Sequence, residues 1–211
     1  MRENPYDREP GYAVRYRDRR FRTGSGAATD RRERRALRRL LRRAATAPGP
    51  WLDVPCGAGR LTDELPGSKV QVDRDPTMVA AIDAPHPKAC ASVHALPFAD
   101  GTFGGALCMR LLQHIPTGDE RVAILRELRR VTRGPLLASF FDANSLQHLR
   151  RRLRPLFGRR RSGRHAVSRR TFARELAAAG FEVVAMKPLL RFVGEQTLVL
   201  ALPRMRESPL I

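Results

Sequence analysis

The 211-residue chain has few of the features that mark metal-binding, disulfide-linked or membrane-spanning proteins. Its three cysteines, Cys56, Cys90 and Cys108, show no C-x-x-C spacing and lie in or beside apolar runs, which indicates small core residues in a reducing compartment and no metal site. No apolar run approaches the roughly 18 residues that span a bilayer, and residues 1–12 lack the hydrophobic centre of a signal peptide. We therefore expect a cytoplasmic protein.

Lysine is also scarce, because only three of the 40 basic residues are lysines and the rest are arginines. The net charge of +19 is unevenly spread: residues 1–50 carry +9, residues 51–147 carry −1 and residues 148–211 carry +11. Cationic flanks favour anionic partners such as nucleic acid, acidic lipid headgroups or a phosphorylated substrate. A general bias toward arginine on solvated faces explains the same numbers, so both interpretations stay open.

The segment from Trp51 to Asp75, WLDVPCGAGRLTDELPGSKVQVDRD, predicts a strand, a glycine loop, a short helix and a second strand. Gly57 and Gly59 let the backbone approach a ligand, and the helix that follows would present free N–H groups to it. An acid, Asp73, ends the second strand and can accept hydrogen bonds from ribose hydroxyls. Thr62 replaces the third glycine of a dinucleotide motif, which favours a nucleoside ligand without phosphates.

The rest of the chain alternates strand and helix patterns. Helices are predicted after Thr29 or Asp30, over residues 119–132, and between Ser168 and Gly180. This alternation predicts a mostly parallel, doubly wound sheet in one domain over residues 29–211, preceded by an irregular basic arm at 1–28. The predicted strands are 51–54, 69–73, 89–93, 104–109, 135–141, 181–187 and 197–202, the last two able to form a hairpin.

Three ordered segments, LDVPCGAGRL, VQVDRDPTMV and ASVHALPFADGTFGGALCMRLLQHI, resemble the successive motifs of class I S-adenosylmethionine-dependent methyltransferases. They are most similar to the small-molecule branch that includes quinone-biosynthesis enzymes. The resemblance runs over residues 51–142 and more loosely to residue 202. It implies S-adenosylmethionine as cofactor and an α/β, Rossmann-like sheet of seven strands in the order 3-2-1-4-5-7-6, the last strand antiparallel, with helices on both faces.

The resemblance also implies which residues hold the cofactor. Asp53 would orient the methionine amino group and Asp73 would accept from the ribose. Two positions depart from the family, since Pro55 stands where glycine is usual and Ser92 where an aspartate often accepts from the adenine amine. The implied cofactor set is Asp53, Pro55, Cys56, Gly57, Gly59, Asp73, Arg74, Ser92, Val93 and Met109.

The segment CMRLLQHI narrows the acceptor, because it lacks the Asn- or Asp-Pro-Pro-aromatic motif of enzymes that methylate exocyclic base amines. His114 could act as a base for an oxygen acceptor or could simply pack at a helix end. Arg110 would face the acceptor. A basic substrate cover is expected at about 145–170, with Asn144 and His165 as acceptor contacts.

The leading hypothesis is a methyltransferase that acts on an oxygen or carbon of a small acceptor, either anionic or lipid-associated. The basic amphipathic segment at 145–170 would then close over the acceptor, contact an anionic membrane peripherally, or only coat the domain. One alternative is an RNA methyltransferase whose arginine flanks contact phosphates, although only 6% of residues are aromatic and few bases could be stacked. The other is a catalytically silent binding protein that keeps the fold.

Overall fold

Seven strands form a single sheet in the order β3-β2-β1-β4-β5-β7-β6. The computed structural model describes residue 21 and residues 23–153 and 163–204. The first five strands pair in parallel, and β7 runs antiparallel to both β5 and β6, which confirms the predicted sheet. The strands are β1 (Trp51–Asp53), β2 (Lys69–Asp73), β3 (Lys88–Cys90), β4 (Gly105–Cys108), β5 (Leu136–Phe141), β6 (Phe181–Pro188) and β7 (Gln196–Pro203).

Five helices flank the sheet among the described residues: α1 (Gly24–Leu41), α2 (Pro76–Ala80), α3 (Gly118–Val131), α4 (Leu146–Leu153) and α5 (Arg169–Ala178). Two of the three predicted caps are present, because the Thr117 hydroxyl accepts from the Glu120 N–H and the Ser168 hydroxyl accepts from the Thr171 N–H. Gly180 follows α5 with φ of 85°, a backbone conformation that suits a helix stop. None of the described helices is long and apolar enough to cross a bilayer.

The core lies on both faces of the sheet because neighbouring strand residues point in opposite directions. Along β4, Ala106 and Cys108 pack in the cluster that holds the buried faces of α3 and α5, whereas Leu107 packs in the cluster that holds α1. A buried ion pair joins α3 to α5, with two guanidinium nitrogens of Arg121 donating to the Glu175 carboxylate at 2.6 and 2.9 Å. The predicted helices on both faces are therefore observed.

Three local predictions were wrong. Helix α1 begins at Gly24 and not at Thr29 or Asp30, because the Thr29 hydroxyl donates to the Ser25 carbonyl and the Asp30 carboxylate binds arginines. Residues 24–28 of the predicted arm are consequently helical. The helix expected after the glycine loop is one 3-10 turn at Thr62–Glu64, which Pro66 and Gly67 follow closely. Strand β3 also ends three residues before its predicted limit. Residues 1–20 of the arm and 154–162 of the predicted cover lie outside the described residues.

Candidate functional site

A cavity of about 390 Å³ lies at the carboxyl ends of β1, β2 and β4, where ligands bind in open parallel sheets. Its volume falls within the range of small-molecule sites. Of the ten residues predicted to hold the cofactor, eight line this cavity, and Gly59 and Ser92 do not. The eight are Asp53, Pro55, Cys56, Gly57, Asp73, Arg74, Val93 and Met109.

Asp53 is buried at the end of β1, and two successive side-chain hydrogen bonds connect one of its carboxylate oxygens to β2. The Thr62 hydroxyl donates to Asp53 Oδ2 at 2.6 Å, and Gln71 Nε2 donates to the Thr62 hydroxyl at 2.8 Å. Burial raises the pKa of Asp53 to about 7, against the opposing effects of the Thr62 hydrogen bond and the Arg60 charge. The residue that replaces the third glycine of the dinucleotide motif therefore orients this acid.

Asp73 ties the glycine loop to the end of β2. Its Oδ2 accepts from the Gly57 N–H at 2.8 Å, and its Oδ1 accepts from the Asp75 N–H at 2.9 Å. Burial raises the pKa of Asp73, and these backbone hydrogen bonds act in the opposite direction. The carboxylate is held in a fixed orientation while it lines the cavity.

Gly57 and Gly59 have different structural roles in the loop. Gly57 has φ of 55°, lines the cavity, and a Cβ added to it would meet no atom within 4 Å. Gly59 has φ of 75°, and its Cβ would lie 2.7 Å from Gln71 Nε2. Gly57 thus leaves space that a ligand can fill, whereas Gly59 lets the loop pack against β2.

The remaining wall of the cavity is largely apolar and offers a surface for a flat ring. Ala91 and Val93 follow β3, Met78 lies on α2, and Leu111 follows β4. Val93 is buried. The hydroxyl of its neighbour Ser92 accepts a hydrogen bond from the His94 N–H at 3.3 Å. Ser92 is absent from the cavity lining, so its predicted contact with adenine remains a prediction.

Cys56 lies next to both acids, and burial together with the charges of Asp53 and Asp73 raises the pKa of its thiol. A thiol held in the protonated form is a weak nucleophile. Its place in the cavity wall therefore agrees with packing and not with covalent catalysis.

Arg110, predicted to face the acceptor, bends toward helix α1 from a left-handed backbone conformation with φ of 61°. Its Nε donates to Glu33 Oε1 at 2.7 Å, while Arg60 and Gln196 each donate to the same carboxylate at 2.6 Å. Glu33 is buried and was missed from sequence. Glu33 lies on the same helix face as the buried residues Ala36, Leu37 and Leu40, which follow it by three, four and seven positions. This spacing is the signal that could have identified it.

Phe21 is a second residue that sequence reasoning missed. Its ring lines the first cavity, with the Arg60 guanidinium 4.0 Å and the Arg110 guanidinium 5.1 Å from its centroid. Two guanidinium groups around one ring form a cation–π arrangement. No local pattern in the predicted arm distinguishes this aromatic residue from its neighbours.

Three predicted residues lie away from the cavity lining. His114 is exposed on a 3-10 turn, Asn144 is exposed after β5, and His165 is exposed, with its backbone N–H donating to the Gln113 carbonyl at 2.7 Å. The structure does not bring them together with Asp53 and Asp73. Their roles as base and acceptor contacts remain predictions.

A second cavity of about 320 Å³ adjoins the first, because Phe21 and Arg110 line both. Arg32 and Arg164 also line it, and neither has an acidic partner in the described part of the chain. Phe141 and Leu189 supply apolar surface, and the Arg164 guanidinium lies 5.8 Å from the Phe141 ring centroid. The second cavity can therefore accept a molecule with an apolar body and a negative charge.

Comparisons with known proteins agree with this geometry. Residues 52–134 match the family model of the methyltransferase domain. The chain is similar to magnesium protoporphyrin IX methyltransferase from Synechocystis PCC 6803 with bound S-adenosylhomocysteine, at 17% identity over 91% of this chain and 94% of that one, with a TM-score of 0.73. No curated protein sequence matches the chain.

Two further solved structures share the fold. A methyltransferase from Thermotoga maritima, described as a possible histamine N-methyltransferase, is 16% identical over 91% of this chain and 96% of that one, with a TM-score of 0.66. A putative methyltransferase of Haloferax volcanii in complex with the Trm112 activator is 16% identical over 94% and 98%, with a TM-score of 0.64. The domain match over residues 52–134 supports the predicted methyltransferase with S-adenosylmethionine as its cofactor, and the solved structures show that the chain shares the methyltransferase fold.

Proposed function

We propose that the protein transfers a methyl group from S-adenosylmethionine to an oxygen or carbon atom of a small anionic acceptor bound in the second cavity. The observation that carries this proposal is the pair of adjoining cavities. One is built around two buried carboxylates and the other carries two arginines without acidic partners in the described residues. The carboxylates would then serve the donor site and the arginines without acidic partners the acceptor site.

The residues of the first cavity fit the cofactor. Asp53 can accept from the ammonium of its amino-acid tail, and Asp73 can accept from its ribose hydroxyls. The open space beside Gly57 and the apolar surface at Val93 suit its sugar and its ring. When bound, the cofactor supplies a methyl group already activated on a sulfonium, so the protein's main task is alignment.

The charges of the second cavity support an anionic acceptor. Arg110 is neutralised by Glu33, and Glu195 is paired with Arg151 at 3.1 Å. Arg32 and Arg164 remain to bind a carboxylate or phosphate. A negatively charged group held there would orient the acceptor toward the wall formed by Phe21, which the two cavities share.

The alternative hypotheses receive less support. An RNA methyltransferase would need several aromatic surfaces for base stacking, whereas Phe192 is the one exposed aromatic side chain among the described residues. A silent binding protein would not need both buried carboxylates to be oriented by hydrogen bonds at one cavity.

Calorimetry with matched probes tests the acceptor site. In the presence of saturating S-adenosylhomocysteine, we expect 4-hydroxybenzoate to bind more tightly than its neutral analogue 4-hydroxybenzamide. Arg32→Gln and Arg164→Gln should each weaken benzoate binding by about fivefold, as expected for partly exposed ion pairs. Arg170→Gln, an exposed arginine on α5, is the matched control. Equal affinity for the two probes, or equal effects of all three variants, would contradict the proposal.

A further inference from the structure

Exposed apolar side chains are concentrated in one part of the molecule. Of the seven large hydrophobic residues exposed among the described ones, six lie in α4 or in the connection between β6 and β7, and the seventh, Val184, lies on β6. Scattered exposed apolar residues are ordinary, but a contiguous group marks a binding surface. The six are Leu146 (42% exposed), Leu149 (52%), Leu153 (43%), Leu190 (39%), Phe192 (73%) and Val193 (47%).

Hydrogen bonds join the two segments into one surface. The Leu146 N–H donates to the Phe192 carbonyl at 3.0 Å, and the Gln147 N–H donates to the Val193 carbonyl at 2.9 Å. The Glu195 N–H also donates to Gln147 Oε1 at 3.2 Å. The first N–H groups of α4 are thereby satisfied by the connection, which fixes the helix against it. We call the six apolar residues of these segments the docking face.

The backbone at Phe192 supports a binding role. Its φ of 62° is in the left-handed region, which is unfavourable for a bulky side chain. Hydrogen bonds from the Leu146 N–H to the Phe192 carbonyl and from the Gly194 N–H to the Leu190 carbonyl, both at 3.0 Å, hold this backbone, while the ring is the most exposed large apolar group described. Strained residues of this kind concentrate at functional surfaces.

Arginines surround the docking face. Arg150 and Arg152 lie on α4 between the exposed leucines, and Arg191 places its guanidinium 4.9 Å from the Phe192 ring centroid. Within the described ranges, none of the three has an acidic partner, and residues 148–211 carry a net charge of +11. The surface therefore combines an apolar centre with a cationic border.

We propose that the docking face binds the surface of an anionic membrane. Leu149, Leu153 and Phe192 would enter the boundary between headgroups and acyl chains, while the arginines contact lipid phosphates. Nucleic acid would match the charge but leave the aliphatic side chains in water. Leu190 belongs both to the docking face and to the second cavity. An acceptor could therefore pass from the lipid to that cavity, a consequence that rests on the proposed function, whereas membrane binding itself does not.

Sedimentation with vesicles tests the proposal on the full chain. We expect the protein to sediment with vesicles of phosphatidylcholine and phosphatidylserine, to remain in solution with phosphatidylcholine alone, and to be released by salt. Calorimetry with S-adenosylhomocysteine on the same samples separates this result from a failure of the methyltransferase site. A protein that binds the cofactor product but ignores anionic vesicles would overturn the membrane proposal alone.

Phe192→Gly separates binding from folding. Glycine accepts the left-handed backbone, so the thermal unfolding midpoint should not fall, whereas vesicle affinity should fall by at least about tenfold through loss of the buried ring. The matched control is Val184→Thr, which changes an exposed apolar residue outside the docking face and should leave vesicle binding unchanged. Equal affinities for the parent and Phe192→Gly would refute insertion of the ring.

The cationic border has its own test. Arg150→Gln with Arg152→Gln should lower affinity for anionic vesicles by about 30-fold, at about fivefold for each arginine near the surface. Arg170→Gln with Arg174→Gln removes the same charge from exposed positions on α5 and should change affinity little. Equal losses in the two pairs would refute a specific docking face. Binding of single-stranded RNA without vesicle binding would assign the arginines to nucleic acid instead.

Discussion

The affinity of this protein for its cofactor should depend on pH through Asp53. Burial raises the pKa of this carboxyl group from 3.8 to about 7, and the group lines the cofactor cavity. The cofactor's ammonium would be attracted to the ionised carboxylate and not to the neutral acid. Ligand binding should therefore be weaker at pH 6 than at pH 8, and Asp53→Asn should abolish this dependence.

The magnitude follows from the fraction of the ionised form. A group with a pKa of about 7 is about one-tenth ionised at pH 6 and about nine-tenths ionised at pH 8. Affinity should accordingly rise about tenfold over this range, or about 1.4 kcal/mol. Near pH 7, where about half of the molecules carry the proton, binding should release about half a proton.

The folding stability should change with pH in the opposite direction to the cofactor affinity. Because the folded pKa lies above the unfolded value, the folded state holds the extra proton between about pH 4 and pH 7, and stability decreases as pH rises through that window. The difference between a pKa of 3.8 and one of about 7 corresponds to about 4 kcal/mol at most. Urea unfolding at pH 5 and pH 8 should show a larger decrease in the parent than in Asp53→Asn, which keeps the contribution of Asp73.

Calorimetry with S-adenosylhomocysteine at pH 6, 7 and 8 measures the affinities, and repeating the titration at pH 7 in buffers of different ionisation enthalpy measures the released protons. Asp53→Asn serves as the control for all other groups of the protein. A parent protein with the same affinity at pH 6 and pH 8 and no proton release would refute the role assigned to Asp53. A dependence that persists in Asp53→Asn would assign it to another group.

Two further predictions concern packing. Gly59→Ala should lower the free energy of unfolding by about 2 kcal/mol, because the backbone is left-handed and the new Cβ would displace the buried Gln71 amide from its hydrogen bond with Thr62. Gly57→Ala should cost less stability but weaken calorimetric binding of S-adenosylhomocysteine. Arg121→Met should lower the unfolding free energy by about 3–5 kcal/mol by leaving Glu175 buried and unpaired. Adding Glu175→Leu should recover most of that loss, and a double variant no more stable than the single one would contradict this account.

Local sequence patterns were sufficient for most of the sheet. Strands bounded by breakers and helices with Ser or Thr caps are encoded by residues close together in the chain, so β2, α3 and α5 were predicted to within two residues. The start of α1 was not predicted correctly. The Thr29 and Asp30 side chains resemble an N-cap, but they bind the Ser25 carbonyl and arginine side chains instead. Asp30 pairs with Arg60, thirty residues away, and no local pattern records that partner.

The acids and the glycine loop of the site were predictable because their order along the chain is characteristic of the fold. Asp53 and Asp73 end neighbouring strands, and the sheet brings those ends together. The contacts that individual residues of the site make were not predictable from the sequence. Gly59 contacts Gln71 and not the cofactor cavity, and Arg110 pairs with Glu33 from 77 residues away. Both outcomes depend on contacts between distant segments.

Glu33 connects these distant segments and explains why the first helix matters to the site. Its buried carboxylate accepts from Arg60 after β1, Arg110 after β4 and Gln196 at the start of β7. An unpaired carboxylate would be destabilising there, so the three donors help to hold α1 in place. Phe21, which precedes α1, lines both cavities. Any ligand that contacts Phe21 therefore binds the docked arrangement of α1, and by linkage its binding must stabilise that arrangement.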